Sequence, residues 1–263
     1  MKYIWLILIT LIAGSAFSAN RIDSLFGTTN TDDSWISSGL QSDWNNGTDT
    51  LLLFAASTKK TVFRINTAGW STIPTAFIVD SIAVWLRVDS AVITVDRADS
   101  GYVCYRDWIE GTKARTDNTP FEACVTYNKY TANGSSADSL WGTAGCQNTT
   151  TDRSGTAFDW EPIQTTDVAG NWKTWWFRDT AIIRQMRTNV AGFRGGFVFW
   201  QASGTGQQHA FASTENANAA DRPFMMVYSH SIDGTNQRLA NGMLGMRINN
   251  GNVARRLRAD YGY

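Results

Sequence analysis

The amino-acid sequence predicts an all-β protein, an antiparallel jelly-roll β-sandwich with one short helix. Three observations predict it. Aromatic residues make up 13% of the chain beside 22 glycines, a composition of strand formers and turn formers. Short apolar runs recur between clusters of Gly, Asn, Asp and Ser, as in sandwiches and barrels. Helical periodicity is confined to one short stretch.

The first residues stand apart from the fold. Lys2 supplies a positive start, Ile4 to Ile12 an apolar run, and Ala16 and Ser18 the small residues of a cleavage site, which together predict a signal peptide over 1–18. That run is short for a membrane span, and no later segment is apolar enough to cross a bilayer. The expectation is a secreted chain, extracellular or at a cell surface, with no membrane span after signal removal.

The domain is expected over 19–230. Its strands are predicted at "LLLFA" (51–55), "TVFRIN" (61–66), "SIAVWLRV" (81–88), "VITVD" (92–96), "VCYRDW" (103–108), "ACVTYN" (123–128), "KTWWF" (173–177), "GFVFWQ" (196–201), "HAFAS" (209–213) and "FMMVYS" (224–229). The helix falls at 179–188, where Asp179 can cap and Ile182, Ile183 and Met186 share a face. The loop over 129–156 is rich in Asn, Gly, Ser and Thr around Trp141, and a loop that long is functional, disordered or pinned. Residues 231–263 carry Arg238, Arg247, Arg255, Arg256 and Arg258 against Asp233 and Asp260, a basic C-terminal extension that is either a solvated end or a surface for self-association.

Charge and cysteine usage narrow the function. Lys+Arg and Asp+Glu both total 23, so no net field draws the chain to nucleic acid. His209 and His230 are too few and too isolated for a zinc site or a catalytic triad, and read as surface or strand-edge residues. Three cysteines in an exported chain imply one disulfide and one thiol. The expected bond is Cys124 to Cys146 across the polar loop, with Cys104 buried and reduced; the other two pairings stay open.

Acid pairs suggest sugar cleavage, but strand geometry opposes one pair and the surrounding residues the other. A glycosidase needs carboxylates about 5.5 Å apart, or about 6.5–9.5 Å when inverting. Asp107 and Glu110, three apart on a strand, would face opposite ways at roughly 10 Å unless the strand ends between them, as Glu110-Gly111-Thr112 allows, leaving Trp108 for the core. Asp159 and Glu161 could share a face, since Pro162 keeps Glu161 extended, but their segment holds no His, Lys or Tyr for a lyase. No catalytic residue is expected, and a polysaccharide lyase or glycosidase is the least favoured reading.

Binding is better served. "TNTDD" (29–33) and "DWNNGTD" (43–49) gather the hard oxygens that calcium prefers, with Asp32, Asp33, Asp43 and Asp49 as candidate ligands. Asx-turns explain the same residues without an ion, so no cofactor is required and structural calcium is the one candidate. The chain has 12 tryptophans. Trp85, Trp108, Trp175 and Trp200 lie in strands and belong to the core. Trp44, Trp70 and Trp141 lie in polar or turn-rich surroundings and, with Asn45 and Asp49, are candidates for a sugar platform.

Several landmarks then fall in a familiar order: "DDSWI", "NNGTDTLLLF", "TVFRIN", "IPTAFIVDSIAVWLRV", "VCYRDWIEGT", "ACVTYNKY" with "WGTAGC", "GGFVFWQ" and "FASTENANAADRPFMMVY". From about Asp32 to Ser229 the chain resembles the DNRLRE-type domain family, related to the carbohydrate-binding modules of family 96, although the hexapeptide that names the family is absent. The resemblance implies a secreted, usually non-catalytic jelly roll. The expected partner is a polysaccharide or glycan. The alternative is a structural component of an extracellular surface, filament or virion appendage.

Overall fold

The computed structural model describes residues 20–56, 58–92, 96–117, 123–131, 138–188, 193–201 and 208–231. The expected signal peptide and basic extension lie outside the described residues. Two compact units divide the chain: a large one, Ile22–Pro74 with Val79–Ser229, and a small one whose described residues are 20–21, 75–78 and 230–231. In the small unit the Arg21 guanidinium lies over the Phe77 ring at 5.6 Å.

The fold is all-β and antiparallel, consistent with the expected sandwich. Its strands are β1 (Asn20–Phe26), β2 (Thr31–Ser37), β3 (Trp44–Asn45), β4 (Leu51–Ala55), β5 (Lys59–Ile65), β6 (Phe77–Val92), β7 (Arg97–Val103), β8 (Thr116–Asp117), β9 (Lys129–Thr131), β10 (Ser139–Leu140), β11 (Asp159–Ile163), β12 (Trp172–Phe177), β13 (Phe197–Gln201), β14 (Gln208–Ala212) and β15 (Phe224–Ser231). An 11-stranded sheet runs β1-β15-β6-β14-β4-β5-β13-β7-β11, with β12 paired to β6 and β2 to β5.

Strand alternation builds the core. On β12, Lys173, Trp175 and Phe177 are buried while Trp172, Thr174 and Trp176 are only partly covered, the period of two that a one-sided sheet imposes. Trp175 packs against Phe54, Phe199 and Phe211 with ring centroids 5.3–6.2 Å apart, and its Nε1 donates to the Asp99 carbonyl at 2.8 Å. The other face of β12 carries Trp172 against Phe224 and Trp176 against Tyr228, and Trp85 stacks on that same Phe224 at 5.7 Å.

Among the described residues three short α-helices accompany the sheet: α1 (Gly27–Asn30), α2 (Thr67–Ser71) and α3 (Thr180–Arg187). The one helix expected is α3; Asp179 accepts from Ile182 N at 3.0 Å, and Ile183 and Met186 are buried. Asn66 caps α2 by accepting from Gly69 N at 2.9 Å.

Among the described residues two expected strands are not strands, and the strand expected over 92–96 lies mostly outside them. β7 ends at Val103, and Cys104 makes only an isolated bridge to Arg153. Tyr105 N then donates to Asp152 O at 2.8 Å, so the backbone of 104–108 turns to a loop for its partners. Over 123–128 no strand forms. The apolar alternation in both segments arises from packing beside the sheet: Trp108, Val125, Trp141 and Cys146 form one buried cluster with Ile36, Val62 and Val198. His209 also departs from expectation. It is 1% exposed, with Nδ1 2.8 Å from Asp99 Oδ2.

Candidate functional site

A cavity of about 480 Å³ forms beside β2, β5, α2 and α3, lined by Asp32, Arg64, Asn66, Trp70, Asp107, Arg187, Phe193 and Arg194 among others. Its polar groups are held in place by one another. Arg64 reaches Asp32 through Nε and Asp107 through one terminal nitrogen, both at 2.8 Å, with its guanidinium 4.7 Å from the Trp108 ring. Asn66 Nδ2 donates to the other oxygen of Asp32 at 3.0 Å. Arg194 approaches the other oxygen of Asp107 at 3.4 Å. Arg187, in the last turn of α3, donates to the carbonyls of Ile73 and Pro74 at 2.7 and 2.6 Å. An indole beside fixed planar donors and acceptors in a cleft can stack a sugar ring and bond its hydroxyls.

Asp33, one residue along β2, lies on the opposite side from Asp32. Its carboxylate meets those of Glu110 and Glu215, with one oxygen of each within 4.8 Å of the others. Asp33 N donates to Glu110 Oε1 at 2.7 Å, and Thr214 N donates to Asp33 Oδ2 at 2.8 Å. Burial, and then the charges of Glu215 and Glu110, push the Asp33 carboxyl well above its usual range. Burial pushes Glu110 up to about 8, with Glu215 and Asp32 adding to the rise and Asp33 N and Arg64 opposing it. Glu215 is raised by burial as well. Carboxylates this close do not all ionise together, which favours keeping a proton among them. They offer three oxygens toward the six to eight that calcium takes.

The other expected site residues are placed elsewhere. Of the platform set, only Trp70 lines the cavity. Trp141 is 5% exposed and donates from Nε1 to Thr126 O at 2.9 Å; Trp44 packs on the cluster of Trp35, Leu53 and Ala210. Asn45 is wholly buried, its Oδ1 accepting from Gly47 N and Lys113 N at 3.3 Å. Asp49 accepts from Trp35 Nε1 at 2.7 Å and Arg115 Nε at 2.6 Å, and Asp43 accepts from Asn128 at 3.2 Å. Trp141, Asn45 and Asp49 are therefore architecture, because their loops fold back on the sheet and use the polar groups as ties. The four candidate calcium ligands do not come together; Asp33 alone joins the acid cluster.

The cysteine expectation also changes. All three are buried thiols. The sulfur facing Cys146 is that of Cys104, at 3.9 Å, while Cys124 packs beside Gly111. The Cys104–Arg153 bridge carries Cys104 to the loop that holds Cys146, which the strand expected over 103–108 would not have done.

His209 and Asp99 resemble part of a triad, but His209 Nε2 and Asp99 Oδ1 have no partner among the described residues, and both residues are buried. No nucleophile completes them there. The cavity residues that the sequence left unmarked are Arg64, Asn66, Arg187 and Arg194, while Asp107 was weighed only as half of an acid pair. Asn66 had a local signal, as an Asn before a short helix; the arginines had none. The sequence matches no family model, and no curated protein matches it.

Proposed function

We propose that this is a secreted, non-catalytic glycan-binding β-sandwich of the DNRLRE kind, whose sugar site is the Trp70 cavity. The observation that carries this is the indole of Trp70 set in a cleft with Asp32, Asn66 and the arginines. Three guanidinium groups against two carboxylates favour an acidic sugar, a uronate or sulfate ester, over a neutral one. Binding without cleavage is supported at Asp107, whose two oxygens are each engaged by an arginine, leaving it poorly placed as a proton carrier. A structural calcium would belong to Asp33, Glu110 and Glu215, not to the loop over 43–49.

Calorimetry with neutral and uronate-bearing oligosaccharides tests the proposal. Trp70→Ala should weaken binding at least about tenfold, equivalent to about 1.4 kcal/mol, while Trp44→Ala leaves it unchanged. A blank panel, or binding indifferent to Trp70, sinks it. Release of reducing ends or unsaturated products, abolished by Asp107→Ala or Glu161→Ala, would restore an enzyme.

A second reading, a structural component of an extracellular surface, filament or virion appendage, is favoured by Trp160. This indole is 60% exposed on β11, which ends the order of the main sheet, and unprotected sheet ends invite pairing. Concentration-dependent polymers in size exclusion, lost in Trp160→Lys, would support it. Loss on removing 231–263 instead would point to self-association through the basic extension.

A further inference from the structure

We propose that Cys104 and Cys146 are the cross-linking pair of this protein and join as a disulfide when the chain folds in an oxidising medium. Their Sγ atoms lie 3.9 Å apart, and both residues are wholly buried. The backbone holds the pair together independently of the sulfurs. Cys104 N donates to Gly196 O at 2.9 Å, Tyr105 N donates to Asp152 O at 2.8 Å, and Cys104 bridges Arg153. On the other side Cys146 Sγ lies 3.6 Å from Asp152 O, a carbonyl that Tyr105 also uses. Space for sulfur is kept by Gly195, where a Cβ would sit 2.7 Å from Cys104 Sγ. A disulfide needs about 2.05 Å between sulfurs, an approach of roughly 2 Å that side-chain rotation at the two cysteines can supply.

The chemistry balances with a small-molecule disulfide as oxidant. The thiolate of one cysteine attacks oxidised glutathione and expels one reduced glutathione. The second thiolate then displaces the other from the mixed disulfide. Two S–H protons leave, one S–S bond forms in the protein, and the two electrons reside in two molecules of reduced glutathione. Burial raises the Cys146 thiol well above its usual range, as do the neighbouring Cys104 and Asp152. Exchange therefore belongs to the folding chain, before the loop seals over the pair, more than to the finished molecule.

The test uses the full chain. It is refolded from denaturant in a glutathione redox buffer, alkylated under denaturing, non-reducing conditions, digested and mapped by mass spectrometry. The expected result is one labelled thiol, Cys124, and a single linked peptide pair carrying Cys104 and Cys146. The unfolding equilibrium constant should then rise about a thousandfold on reduction, as the loop-entropy relation gives for the 42-residue separation. Three labelled thiols, a link that includes Cys124, or links only between chains would each overturn the proposal. Cys124→Ala should leave the mapped link and its effect on stability unchanged.

Discussion

Two buried carboxylate sites are tied to the two ends of the segment from Cys104 to Glu110, and they solve burial in opposite ways. Asp152, wholly buried, accepts from Gly142 N at 2.8 Å, Thr143 N at 3.0 Å, Asn148 N and Thr151 Oγ1 at 3.1 Å, and Arg106 Nε at 3.3 Å. Asp33 accepts from Thr214 N and otherwise faces Glu110 and Glu215. One acid is surrounded by donors and acts as the knot of its loop. The other is surrounded by acceptors, so its charge is relieved by protons or by a cation. Burial alone thus says little about a carboxylate; the sign of its neighbours decides whether it is structural or titrating.

The largest effect should come from cutting the knot. Asp152→Ala leaves backbone donors of Gly142, Thr143 and Asn148 buried without their acceptor and is expected to cost about 3–5 kcal/mol in urea unfolding at pH 7. A loss below about 1 kcal/mol would erase the contrast.

The acid cluster should speak through pH. Between the ordinary Glu value of 4.5 and the raised value of about 8 at Glu110, the folded state keeps a proton that the unfolded chain has released. Stability is therefore full below pH 4.5, falls as pH climbs toward 8, and levels off above it. Thermal midpoints of the wild type should drop by several degrees from pH 5 to pH 9. Glu110→Gln should flatten that slope, whereas Asp152→Ala should lower the curve without flattening it.

A smaller effect separates protons from metal. Millimolar calcium at pH 8 should raise the wild-type midpoint by a few degrees, by favouring the folded state that binds it, and should not move Glu215→Gln. A shift that survives Glu215→Gln but is lost in Asp43→Ala would return the ion to the 43–49 loop. Without calcium, Asp43→Ala is expected to change stability by no more than about 0.5 kcal/mol, as befits an exposed residue with one 3.2 Å bond.

How far the sequence could be read follows from the range of each interaction. Strand alternation is local, so β4, β12, β13 and β14 were legible, as was the cap of α3. The segment from Val103 to Trp108 misled because packing beside a sheet produces the same alternation as belonging to it. Trp141 misled through its polar neighbours, which bond within the loop and leave the indole facing inward. The period of two in "WKTWWF" separates Trp175, in the core, from Trp172 and Trp176 on the other face. The cavity was nearly invisible, since Arg64 and Arg194 converge on Asp107 from 43 and 87 residues away.

The two carboxylate sites also differ in when they can form. Every backbone and hydroxyl donor to Asp152 lies within ten residues of it, so that knot closes a short loop at little entropic cost. Asp33 meets Glu110 across 77 residues and Thr214 across 181. Contacts of that span come late in folding. Refolding begun at pH 5, where Glu110 takes up a proton as it joins the cluster, should therefore complete its final phase faster than refolding at pH 9, with the early closure of the Asp152 loop keeping the same rate in both.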